Sequence, residues 1–275
     1  MASSLLGELL YERGDLDEAE RLLDEGYRLG PEGGLMDFKI ARYVTGARVK
    51  ALRGDRDGAI RRLNEAARIA WALSLPRLHA VVENERIRLG LPVHPEFGAL
   101  PVTSYAARRR PVDVIDLMTV QHEEATAIRT LLLEKDPAQT DLARRWAQEW
   151  VDHLTAQHRP LALLQARLLL VACLAAAERC DEAKATLATI AAQCAQLGLV
   201  RYLLDGGPHV VATIAQLHAD QQAGRWSSEW PEVPADFLER FVNAKAVNGF
   251  DHGVAGKVRE WRGQRYRDGD LTAVA

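Results

Sequence analysis

The residues able to do chemistry are present, but their spacing suits no known reaction. Gln121–Ala125 reads QHEEA, which offers one histidine and two carboxylates. It lacks the second histidine of an HExxH zinc helix, so it reads as a solvated helix face. His153 and His158 lie five positions apart, off the i, i+4 spacing that puts two ligands on one face, and no acidic or cysteine partner follows them. Cys173, Cys180 and Cys194 form no CxxC pair and read as small buried or half-buried thiols in a reducing compartment. GVAGKV at Gly253–Val258 lacks the P-loop spacing, follows no strand pattern and has Val258 where a hydroxyl would hold Mg²⁺. Neither GxSxG nor GxGxxG occurs. No catalytic residue, cofactor or metal site is assigned, and the chain is expected not to be an enzyme.

Binding residues are easier to nominate. Trp146, Trp150 and His153 share one helical face at i, i+4, i+7. Such a stripe either packs the core or lines a groove for a peptide or small molecule. ARRRP at Ala107–Pro111 is a solvated loop, an interdomain contact or a phosphate site. Lys257, Arg259, Arg262, Arg265 and Arg267 concentrate positive charge in a Gly-rich tail, read as a frayed end or an anion contact. Over the whole chain, 35 Lys and Arg face 38 Asp and Glu for a net charge of −3. That balance lacks the basic excess of a nucleic-acid-gripping domain, so no direct nucleic-acid contact is expected.

What would position these residues is legible in a repetition. RGDLDEAERLL at Arg13–Leu23 returns as RGDRDGAIRRL at Arg53–Leu63. Leu6, Gly7, Leu10, Gly14, Ala19 and Leu23, with Gly26 and Pro31 beyond, fall where a tetratricopeptide repeat places its signature. Gly7 and Ala19 are small where two antiparallel helices cross, and the leucines fill the flanks. Gly14 ends the first helix in the left-handed conformation, Asp15 or Asp17 caps the second, and Pro31 stops it. Ala47, Gly54, Asp55, Ala59, Leu63 and Ala66 repeat the scheme, and ERCDEAKATL at Glu178–Leu187 opens a later second helix after a first over 160–178. The gap leaves room for two degenerate units, with one helix pair expected over 112–134 and 137–158. Gly90–Tyr105, rich in Pro and Gly, reads as a long loop.

A helix pair cannot bury its own apolar stripe, so such units stack into a superhelix with a concave face. The expected fold is therefore all-α: an α-solenoid of stacked antiparallel helix pairs. Residues 1–224 are expected to form it, and 225–275 a linker helix and polar tail. Concave positions by repeat spacing include Val44, Arg48, Gln165 and Leu168, and Arg48 and Gln165 are nominated as partner contacts together with Trp146 and Trp150. No run of about 18 uncharged apolar residues occurs, so no membrane span is expected. The N-terminus lacks a basic n-region, and the location is expected to be cytoplasmic. Met1 is read as a start internal to a longer chain, since the solenoid begins without a polar cap.

Three stretches together carry a family resemblance. They are the two units of about 40 residues, the late unit closing in GLVRYLLDGGP, and the PADFLERFVNA helix. In this order they resemble the sensory superhelical domain of MalT-type transcriptional regulators, the large ATP-dependent branch of the LuxR family. That resemblance implies a cytoplasmic signal-transduction module that receives an effector small molecule, protein or peptide in its concave groove, contacts the parent's other domains and can self-associate. The LTxRE-like opening of the family's helix-turn-helix does not follow the PADFLERFVNA helix. The alternatives are the regulatory region of a bacterial serine/threonine kinase, or a protein–protein scaffold.

Overall fold

A computed structural model describes residues 2–30, 34–93, 111 and 113–243. Most of the Gly90–Tyr105 loop, the Ala107–Arg110 run, GVAGKV and the basic tail lie outside these residues. Among the described residues every element is helical. α1 (Ala2–Arg13) and α2 (Leu16–Arg28) form the first pair. α3 (Met36–Lys39) passes through a π-helical turn (Ile40–Thr45) into α4 (Gly46–Leu52), which pairs with α5 (Arg56–Ala72). α6 (Pro76–Arg88) packs against α7 (Val114–Leu133), so the helices flanking the long connection are neighbours. α8 (Pro137–Ala156) lies against α7 and α9 (Pro160–Ala176), which in turn pairs with α10 (Cys180–Leu197). A short α11 (Val200–Leu204), α12 (Pro208–Gln222) and α13 (Ala235–Asn243) complete the order. The expected solenoid of stacked helix pairs is what forms.

The turns are the devices that the repetition implied. Gly14 and Gly54 sit at φ +91° and +83°, where a side chain would be strained. Asp15 then accepts from the Glu18 N–H at 3.4 Å, and Asp55 from the Gly58 N–H at 2.8 Å, capping α2 and α5. Gly90, Gly198 and Gly224 take the same left-handed position later in the chain, but four other turns reach it without glycine. Ser74, Lys135, His158 and Glu178 all have φ between +50° and +59°. Three of them precede a helix opening on proline (Pro76, Pro137 and Pro160), whose missing N–H costs nothing at a first turn.

Close crossings set the pair geometry. A Cβ on Gly7 would stand 3.0 Å from Leu23 Cγ and 3.3 Å from the Ala19 carbonyl oxygen, so α1 and α2 meet backbone to side chain. The core then runs as successive apolar layers, from Tyr11 and Leu23 through Leu63 and Leu78 to Leu187 and Leu203. α13 continues this packing, with Phe237, Leu238 and Phe241 buried against α12.

One feature goes beyond the repeat pattern. α1 packs against α11, almost 200 residues along the chain. The Tyr11 hydroxyl donates to Asp205 at 2.6 Å, Arg201 pairs with the other Asp205 oxygen at 2.8 Å, and the Arg201 guanidinium lies 5.6 Å from the Tyr11 ring centroid. Arg88 of α6 donates to the Asp205 carbonyl at 2.6 Å. The superhelix thus curls until its first helix meets its eleventh.

Candidate functional site

That curl encloses a chamber of about 750 Å³, the size of a small-molecule site. Its wall takes residues from α1, α4, α6, α7, α9 and α11 at once. Helices with short turns between them supply these positions because each presents one inward row per 3.6 residues. The outer lining is apolar: Leu5, Leu9 and Leu161 are exposed there. The inner lining is charged.

Arg48 and Gln165, nominated from repeat spacing, both line this chamber, and so does Trp150. Arg48 donates from Nε to Glu85 Oε2 at 2.8 Å and approaches Glu12 at 3.9 Å. Burial disfavours its charge, yet Glu85 and Asp205 hold its pKa above the ordinary arginine value. Leu168 also lines the chamber, whereas Val44 is fully buried in the core. The π-helical turn at Ile40–Thr45 explains that difference: its wider pairing shifts the phase between Val44 and Arg48, so the two no longer share a face.

Trp146 is packed in the core, 2% exposed, and does not reach the chamber wall. Both indoles point their N–H at one buried carboxylate. Trp146 Nε1 donates to Glu124 Oε2 at 2.8 Å, and Trp150 Nε1 to the same oxygen at 2.7 Å. The His153 ring stands edge-on to Trp150 with centroids 6.0 Å apart. The aromatic stripe therefore has two roles: Trp146 locks α8 onto α7, and Trp150 does so while showing an edge to the chamber.

Sequence reasoning missed the electrostatic interior. Arg77, Arg88, Arg129 and Arg159 join Arg48 in the wall. Arg77 holds Asp37 at 2.8 Å, and Arg88 reaches Glu85 at 2.9 Å. His122 lies among these cations: burial, then Arg77, Arg48, Arg129 and Arg88, push its pKa down to about 4. Its Nδ1 stands 3.5 Å from the Asn84 amide nitrogen. Across the chamber, burial and Asp205 raise Glu12 to about 7 against the pull of Arg48. Glu8 is also raised, chiefly by burial, and accepts from the Thr45 hydroxyl at 2.9 Å. No group of three or more His, Cys, Asp or Glu among the described residues could hold a metal. Cys173 and Cys194 are buried, and burial drives each thiol up to about 12, which makes them unreactive packing residues. No helix among the described residues is long and apolar enough to cross a membrane.

Known proteins resemble this chain in part of their length. It is 47% identical over 208 residues to the serine/threonine-protein kinase PknK of Mycobacterium tuberculosis, strain H37Rv, and to PknK of Mycobacterium bovis. In each case the match covers 75% of this chain and 18% of the relative, so the chain spans under a fifth of the curated proteins it matches. No solved structure matches. A family model described as the MalT-like TPR region matches residues 1–220, most of the helical stack just described, and the chain belongs to that family.

Proposed function

We propose that this chain is the effector-receiving regulatory module of a cytoplasmic signalling protein of the serine/threonine-kinase type, itself without catalytic activity. The observation that carries the reading is the chamber, whose wall draws on both ends of the superhelix. A ligand seated there touches α1, α6, α7, α9 and α11 together, and so favours one curvature of the stack over another. A differential affinity of a few kcal/mol is enough to shift such an equilibrium. The family match and the likeness to PknK support a regulatory rather than a chemical role. Buried, unreactive thiols suit a reducing compartment.

The test is a panel of defined metabolites and short peptides titrated into the full chain, followed by thermal unfolding and small-angle scattering. At least one compound is expected to raise the melting temperature and change the radius of gyration. Gln165→Trp, which places bulk at an exposed chamber position, is expected to abolish both responses. If no compound binds, or if binding is untouched by Gln165→Trp, the chamber is not the receiving site. A response to peptides alone would favour the scaffold reading, which the exposed leucines of the chamber's outer lining support.

A further inference from the structure

Among the five arginines in the chamber wall, three have acidic partners. Arg48 and Arg88 share Glu85, and Arg77 holds Asp37. Arg129 has no hydrogen bond and no ion pair with any described residue, and its Nε is buried without an acceptor. Arg159 is in a similar position: its Nη1 is buried and unpartnered, and no described carboxylate lies within salt-bridge distance. Most of the nearby carboxylate oxygens are committed, and Glu85 Oε1 and Glu12 Oε2 are the buried ones without a donor. Glu85 takes two guanidinium groups, Asp205 takes Arg201 and the Tyr11 hydroxyl, and Asp37 takes Arg77.

Both residues are only partly buried, but a guanidinium N–H buried without an acceptor still costs about 1–3 kcal/mol, and folded chains rarely leave one so unless something else supplies the acceptor. Resting on the reading of the chamber as a receiving site, we infer that its occupant is a small organic anion, a phosphorylated or carboxylated metabolite. Its oxyanion would lie on Arg129 with Arg159 as second donor, and its neutral part would face Gln165 and the leucines of the outer lining. The planar, five-donor guanidinium suits phosphate and carboxylate equally, which is why the class is defined by charge. Burial and then the neighbouring Arg88 push the Arg129 pKa down to about 9, against the opposing pull of Cys173 and Glu85.

The experiment compares glucose 6-phosphate, citrate and inorganic phosphate with glucose and neutral oligosaccharides, by calorimetric titration and thermal unfolding of the full chain. Either organic anion is expected to bind and raise the melting temperature where glucose does not, with affinity falling as chloride is added. A response to glucose 6-phosphate alone marks phosphate as the group read; a response to citrate alone marks carboxylate. Arg129→Met is expected to leave the unliganded protein as stable as before, or more so, while weakening anion binding by about tenfold to a hundredfold. A structural arginine would instead lower the melting temperature on substitution.

The inference fails if Arg129→Met binds anions as the parent does, or if that variant is markedly destabilised. It also fails if only inorganic phosphate binds, or if a neutral compound binds equally to both proteins and is blocked by Gln165→Trp. The last result would keep the chamber as a receiving site and remove only its anionic character. A panel that produces no response at all removes both readings.

Discussion

Glu124 shows how one buried side chain can decide the meaning of a motif. Two tryptophans at i, i+4 look alike in sequence, yet the shared carboxylate turns Trp146 wholly toward the core and leaves Trp150 at the boundary. Glu124→Ala would strand two indole N–H groups in a site from which water is excluded. We expect a loss of about 3 kcal/mol in unfolding free energy, measured by denaturant titration; a loss below about 1 kcal/mol would mean that the indoles find other acceptors. Arg62 makes a related point. Its guanidinium threads over Gly46 to the Arg42 carbonyl, contacts Asp24 and stacks 4.4 Å from the Tyr27 ring centroid. A methyl on residue 46 would collide with it, so Gly46→Ala is expected to cost about 1–3 kcal/mol. Neither role was readable beforehand, because a lone glutamate or arginine in a helical pattern looks the same whether it faces water or a partner.

Among the elements, the turns were the most legible part and also explain what was not. The first two units announce themselves because Gly14 and Gly54 take the left-handed position and aspartates follow as caps. Between residues 74 and 178 the same position is filled by Ser74, Lys135, His158 and Glu178, with glycine only at Gly90, so the signature fades from the text while the geometry persists. The helix pair expected over 112–134 and 137–158 still emerged, since apolar periodicity and Pro137 survive. This predicts opposite outcomes for two substitutions. Glu178→Gly, at an exposed turn, relieves left-handed strain and is expected to gain about 0.5 kcal/mol; Gly54→Ala introduces that strain and is expected to lose about 1 kcal/mol. Thermal unfolding of both variants checks it, and equal signs would refute the account. The π-helical turn is the element that sequence spacing could not anticipate, and it is why Arg48 faces the chamber while Val44 does not.

For the whole molecule, the chamber's electrostatics predict an unusual response to pH. Glu12 is held near 7, above its usual 4.5, by burial and Asp205 and by Glu8, against Arg48 and Arg88. Its contribution to stability is full below 4.5 and is lost as pH rises through about 7. His122 is held near 4, below its usual 6.5, by burial and its four arginine neighbours. Its contribution is full above 6.5 and is lost as pH falls through about 4. Each is worth on the order of 3 kcal/mol, and over the shared window the two slopes oppose each other. Their combined effect between pH 4.5 and 6.5 should therefore be nearly flat. Glu12→Gln is expected to make stability fall on acidification below 6.5, and His122→Asn to make it fall on raising the pH from 4.5 to 7. Denaturant titrations across that range would show it, and parallel shifts of both variants at every pH would refute it.

The contact between Tyr11 and Asp205 fixes a copy number. An open array can gain or lose a unit and keep its neighbours' interfaces unchanged, but here an extra pair anywhere between α2 and α10 would carry the first helix away from its seat on α11. Duplication and deletion, the ordinary way such arrays change length, are therefore closed to this segment unless the chamber is given up. Length variation among its relatives should instead collect after α11, where it leaves the seat of the first helix untouched.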